Sequence, residues 1–416
     1  GDDDDAGALG PAGAAGGAGQ GGGAAGGPLA GGAGVAGASG GASGAAGGAG
    51  GGAGGAGGAG AAGAAPASDP WLMGYYVGYL RSEMPPAEVP YETMTHLAVG
   101  AALPRVDGSL DTSFYLGNAE GLALVDDLVA RAEAAGTKPI LMVGGAGTHD
   151  GFVGAASDSN RAAFVANLVT FARAHGFDGL DLDWEPIETA DQAPLGALAA
   201  DLRAAWPGVL LTLPINYLNV NFQVADPWFA AVAPLFNQMN VMTYAMPFDG
   251  EGWQSWHSSA LDGEGGTTPT SVDSSLAAYR AAGVPAAKLG VGAGFFGVCY
   301  SPPVDGPRQD LGGSTLLSDD NAMSYANIMA SYYDAEALRW DDAAKAPFLT
   351  FAQPTGPRGC TFVSYEDEAS LAAKGAYVKA NGFGGAIVWN INQGHRLDLP
   401  AGQRDPLLRA FRENLP

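Results

Sequence analysis

The chain has 416 residues, a formal net charge of −24 and only two cysteines. So acidic a chain lacks the basic face that nucleic acid requires, and no apolar run is long enough to span a membrane. A neutral substrate and good solubility fit that charge.

From Gly1 to Ala67 nearly every residue is Gly or Ala, after an opening Asp2-Asp3-Asp4-Asp5. Such a stretch has no large side chains to bury and cannot offset the entropy of ordering. Residues 1–67 are therefore expected to be a disordered linker, with a root-mean-square reach of about 45 Å. Its abrupt start at Gly1 leads to the expectation that an export signal or lipid-anchor segment preceded it, which places the chain outside the cell or on its surface. A monomer is expected.

From residue 68 onward, short apolar runs alternate with helical patterns. Trp71–Tyr79 and Thr95–Ala101 read as strands. Leu122–Ala135 has helical spacing, with Leu122, Val125, Leu128 and Val129 on one face. Lys138–Gly145 is a strand ending in a glycine pair, and Arg161–His175 a helix. Gly179–Trp184 is the fourth strand. Leu195–Trp206 is a helix, Val209–Pro214 the fifth strand, Gln238–Thr243 the sixth and Lys288–Gly294 the seventh. Leu371–Asn381 is a helix and Gly385–Trp389 the eighth strand. Eight strand–helix units over residues 68–416 predict a (β/α)₈ barrel. The gap between strands seven and eight is too long for a crossover, so residues 297–368 are expected to form a small α+β insertion. Cys299 and Cys360 lie near its two ends and permit one disulfide without establishing it.

The chemistry is concentrated in Asp178-Gly179-Leu180-Asp181-Leu182-Asp183-Trp184-Glu185. A strand has a side-chain period of two, so Asp181, Asp183 and Glu185 share one face and Leu180, Leu182 and Trp184 the other. The apolar set suits a helix layer, which turns three carboxyls into the barrel, with Glu185 at the C-terminal end where barrel active sites lie. Like charges that close cannot all ionise, so at least one pKa must rise, as a general acid requires. Rigid strand acids without nearby carbonyl ligands chelate poorly, so no metal and no cofactor is expected. Gly290-x-Gly292-x-Gly294 has no helix opening on it and is not a dinucleotide loop.

The octapeptide resembles the DxxDxDxE signature of family 18 glycoside hydrolases, the chitinases and their relatives. Further similarities follow in order: Gly74-Tyr75-Tyr76, Gly144-Gly145, Gln238 to Tyr244, Gly283-Val284-Pro285, Trp340-Asp341-Asp342 with Pro347-Phe348, and Gly384-Gly385 before Trp389. The resemblance implies retaining hydrolysis of β-1,4-linked N-acetylglucosamine polymers, in which the substrate's own acetamido group is the nucleophile. By position, Glu185 is the general acid, Asp183 orients the acetamido group, Asp181 supports Asp183, and Tyr244 bonds the acetamido oxygen. Met242 lines the pocket, Trp389 forms its floor and Tyr75 its wall. Asp178 is expected to contact substrate, and Trp253 and Trp256 to stack on sugar rings; His257 beside them is expected to be structural or at the surface. The partner is a polysaccharide or oligosaccharide containing N-acetylglucosamine. The alternatives are an N-glycan or peptidoglycan endo-N-acetylglucosaminidase and, in another class, a non-catalytic chitin-binding lectin. The sequence departs from the pattern at Ala245, where an Asp is usual, at Ala146, often Trp, and after Trp389, where Asn390-Ile391-Asn392-Gln393 lacks the common acid. These departures bear on substrate more than on catalysis.

Overall fold

The computed structural model describes residues 70–219 and 224–415. The expected linker at 1–67 lies outside the described residues. Eight parallel strands close into a barrel: β1 (Trp71–Val77), β2 (His96–Pro104), β3 (Lys138–Gly144), β4 (Gly179–Asp183), β5 (Leu210–Asn216), β6 (Gln238–Met242), β7 (Leu289–Gly294) and β8 (Gly385–Trp389). Each pairs with its neighbours in chain order, and β8 returns to β1 with Trp71 opposite Gly385. The chain is a (β/α)₈ barrel, and the alternation of its strands produces two distinct cores. Leu180, Leu182 and Trp184 join the apolar layer under the helices, whereas Tyr75, Met142, Met242 and Ile387 fill the barrel itself.

The helices start and stop where local chemistry dictates. Asn118–Ala135 ends on Gly136 in the left-handed conformation, φ 78°, which glycine adopts without a Cβ penalty. Its buried face runs through Leu124, Val125, Leu128, Val129 and Ala132; Leu122, expected on that face, is half-buried. Val272–Ala281 opens on a capping box in which Ser271 and Ser274 satisfy each other's backbone N–H groups. Sequence reasoning missed this helix because five of its ten residues are Ala or Ser, which blurs an apolar stripe. Among the described residues no helix is long and apolar enough to cross a membrane.

Between β7 and β8 lies a second, antiparallel sheet of five strands, ordered 316–317, 298–300, 360–364, 346–355 and 338–341. Val298, Tyr300, Phe348 and Phe362 pack one of its faces. Cys299 and Cys360 are bonded, with Cα atoms 5.5 Å apart and 61 positions between them in sequence. On the chain-entropy account a loop of that length gains about 4 kcal/mol from closure. Replacing both cysteines with Ala is expected to lower the unfolding free energy by up to that amount, read from denaturant titration. An unchanged midpoint would show that the crosslink is thermodynamically idle.

Candidate active site

The site is built on β4. Asp181 and Asp183 face into the barrel and are fully or nearly fully buried. Asp181 is held from two sides: the Tyr75 hydroxyl donates to Oδ2 at 2.8 Å, and Thr212 Oγ1 from β5 donates to Oδ1. Asp183 is placed by its backbone, whose carbonyl accepts from Gly145 N at 2.7 Å. That bond needs the glycine pair after β3. Gly144 has φ 95°, and a Cβ there would stand 2.6 Å from the Asp183 carbonyl oxygen and 2.3 Å from the Phe152 ring. Glu185 follows on the same face.

Burial dominates the electrostatics. It pushes the Asp181 carboxyl up to about 6 despite the hydroxyls of Thr212 and Tyr75. It raises Asp183 well above the carboxylate range, with the charges of Glu185 and Asp181 adding to the rise. Glu185 is pushed up to about 7, mainly by burial and in part by Asp181, against a hydrogen bond with Asp183. Three carboxyls therefore share protons as one titrating unit. Burial raises the Tyr244 phenol as well, and the charges of Glu185 and Asp183 raise it further. Tyr244 thus stays a neutral donor beside the acids. Asp183 Oδ1 is buried and has no hydrogen-bond partner among the described residues. Trp389, half-buried at the end of β8, stands 5.5 Å from the Tyr75 ring. A buried acid poised near neutrality thus stands with a second carboxyl that has an unsatisfied oxygen, a phenol donor and an indole face.

The family model for glycosyl hydrolases family 18 matches residues 72–394. The chain belongs to glycosyl hydrolase family 18. Relatives of this family 18 chain include a chitinase-like effector of Moniliophthora perniciosa, 26% identical over 383 residues, 78% of this chain and 84% of that protein. Chitinase A1 of Niallia circulans is 28% identical over 321 residues, 67% of this chain but 45% of that protein, so the match spans less than half of that relative. The fold is similar to that of the group IV chitinase of Ostrinia furnacalis in complex with allosamidin, with a TM-score of 0.69 at 20% identity over 84% of this chain and all of the other.

Within the family 18 barrel, the structure brings Asp181, Asp183, Glu185, Tyr244, Met242, Tyr75 and Trp389 to one end and one interior. It separates two other expected site residues, Asp178 and Trp256, from that end or from solvent. Asp178 is exposed at the N-terminal end of β4, where its backbone joins Pro139 and Leu210. The five-residue strand Gly179–Asp183 separates it from Glu185, so the two acids lie at opposite ends of β4. Trp256 is 0% exposed, donates from Nε1 to the Thr270 carbonyl at 2.7 Å and lies under the Arg308 guanidinium. It is core, because these two partners satisfy an indole that its polar neighbours in sequence had placed at the surface. Tyr75 is 1% exposed and hydrogen-bonded to Asp181, which it holds from inside the barrel. Trp253 is half-buried against Phe248, with ring centroids 5.5 Å apart. His257 is buried between Ser364 Oγ at 3.0 Å and Asp341 Oδ2 at 2.9 Å, and so pins the loop after β6 to the insertion sheet.

Two residues escaped the sequence reading. Thr212 is the one polar side chain between Leu211 and Leu213, and the strand alternation that exposed Asp181 would have exposed it. Asp320 accepts from Trp389 Nε1 at 3.0 Å and is itself buried. It comes from an insertion loop 69 positions away, and no local pattern marks it. Ala245 has a positive φ of 51°, a backbone Asp tolerates better than Ala, so the turn persists while its carboxylate is gone.

Proposed function

We propose that this chain hydrolyses β-1,4-linked N-acetylglucosamine polymers with retention of configuration, using the acetamido group of the bound sugar as nucleophile. The observation that carries this reading is the buried, unpartnered Asp183 Oδ1 beside a proton-bearing Glu185. An acetamido N–H is a donor of the right kind for that oxygen. Accepting it would turn the acetamido oxygen toward the anomeric carbon. Tyr244 supports the same pose by donating to that oxygen.

Glu185 gives its proton to the glycosidic oxygen as the bond to the anomeric carbon breaks. The acetamido oxygen forms a new bond to that carbon from the other face, giving an oxazolinium ion whose positive charge Asp183 stabilises. Water then attacks the same carbon, breaks the ring and returns a proton to Glu185. Trp389 offers an apolar floor whose plane Asp320 fixes through the indole N–H. The insertion sheet supports a walled groove and favours the chitin-type polymer over an N-glycan or peptidoglycan. The intact Glu185 supports turnover over a purely sugar-binding role, although one relative carries the name effector. The disulfide supports residence outside the cell or on its surface.

Proton NMR of the first products from chitotriose tests the reading. The β-anomer is expected first, and fully deacetylated chitosan is expected to be cut slowly or not at all. Initial α-anomer, or equal rates on the deacetylated polymer, would rule out substrate assistance.

A further inference from the structure

Beside the carboxylate cluster, but outside the barrel, a second set of side chains gathers donors of a different kind. His149 opens the helix His149–Ala155, and Glu188 and Asp191 sit in the turn that follows Glu185-Pro186-Ile187. One ligating atom from each lies within 4.8 Å of the other two. His149 Nε2 is 2.9 Å from Asp191 Oδ2. Two ligands on a tetrahedral ion at about 2.0–2.1 Å would stand about 3.3 Å apart, close to that separation.

We propose that His149, Glu188 and Asp191 bind one divalent transition-metal ion of the zinc class. An imidazole with two carboxylates is a mixed nitrogen–oxygen set, which suits zinc rather than calcium or magnesium. The carboxylates are already oriented. Asp191 Oδ2 accepts from Glu188 N at 2.8 Å, and the Glu188 side chain accepts from Asp191 N in return. Nδ1 points toward the exposed Asp150 at 3.5 Å, and Nε2 is the ring nitrogen turned to the two carboxylates. Burial is graded across the set, with Asp191 buried, His149 partly exposed and Glu188 exposed, so an ion could enter from solvent. A separate observation points the same way. The Trp184 indole N–H is buried without a partner among the described residues, and its ring lies 6.4 Å from the imidazole. A water carried by the ion is an acceptor such a donor could use. An ion here would tie the turn after Glu185 to the helix after the glycine pair, and its binding does not depend on the hydrolytic reading. The competing reading is a His149–Asp191 ion pair on a turn that Glu188 merely caps, which has no response to zinc.

Isothermal titration of the chelator-treated, untagged chain with zinc chloride, in excess calcium and magnesium, decides between them. One saturable zinc per chain is expected, abolished by His149→Ala and weakened roughly 10–100-fold by Glu188→Gln. Cobalt in place of zinc should give ligand-field absorption that disappears in His149→Ala. Absence of saturable binding, full displacement by calcium, or zinc binding unchanged in His149→Ala would overturn the proposal. Should circular dichroism show that His149→Ala is misfolded, Glu188→Gln and Asp191→Asn carry the test, and unaltered affinity in both overturns it equally.

Discussion

Glu185→Gln is expected to reduce turnover of chitotriose and of a fluorogenic chitobioside by more than the roughly 10²–10⁴-fold typical of losing an acid–base catalyst. The amide preserves shape and hydrogen bonding but has no acidic proton, and departure of the glycosidic oxygen requires one. The group is suited to that task because burial, helped by the Asp181 charge, pushes it up to about 7. It is protonated below that value, so wild-type activity should fall as pH rises through about 7. The alkaline limb belongs to the three coupled carboxyls rather than to Glu185 alone. Oligosaccharide affinity should survive in the variant, because the glutamine fills the same space. Near-normal turnover in a correctly folded Glu185→Gln protein would sink the proposed mechanism.

Asp183→Asn is expected to cost about 10²–10³-fold in kcat, the scale for removing one preorganised electrostatic contact to the transition state. Asp183, which burial and its acidic neighbours keep protonated in the free protein, is asked to accept an N–H and, with its proton passed to Asp181, to stand against a positive ion. Asparagine can still accept through its oxygen but supplies no negative charge when the oxazolinium forms. The loss should therefore fall on kcat more than on KM. Asp181 should keep its place in the variant, since Tyr75 and Thr212 hold it independently of Asp183. Stopped hydrolysis with unchanged KM supports the assignment. An effect confined to KM would mean that Asp183 merely binds sugar.

The barrel and its catalytic strand were legible because both are written in local periodicity. Leu180, Leu182 and Trp184 against Asp181, Asp183 and Glu185 is a two-residue alternation, and a strand of known period must send those sets to opposite faces. The glycine pair at 144–145 was visible as a pair, and its role lies in the close pass of the Asp183 carbonyl. The same periodicity held the answer for Thr212.

Elsewhere the local signal pointed the wrong way or was silent. Trp256 sits among Gln254, Ser255 and His257, a context that reads as surface. Its burial is decided by Thr270, by Arg308 and by the insertion sheet that His257 reaches. Asp178 shares an octapeptide with Glu185, yet the strand Gly179–Asp183 separates them and leaves the two acids at opposite ends of β4. Tyr75 and Asp181 are 106 positions apart, and Asp320 and Trp389 are 69 apart. Spacing along the chain says nothing about such contacts. They exist because the closed barrel turns β1 and β4 toward one interior, and because the insertion brings Asp320 to the end of β8. The sequence by itself determined which residues alternate, which face each strand buries, and that three carboxyls enter one interior. The tertiary structure alone decided which neighbours hold those carboxyls, because the register of two strands sets Thr212 opposite Asp181 and the curvature of the barrel lets Tyr75 reach it across the interior.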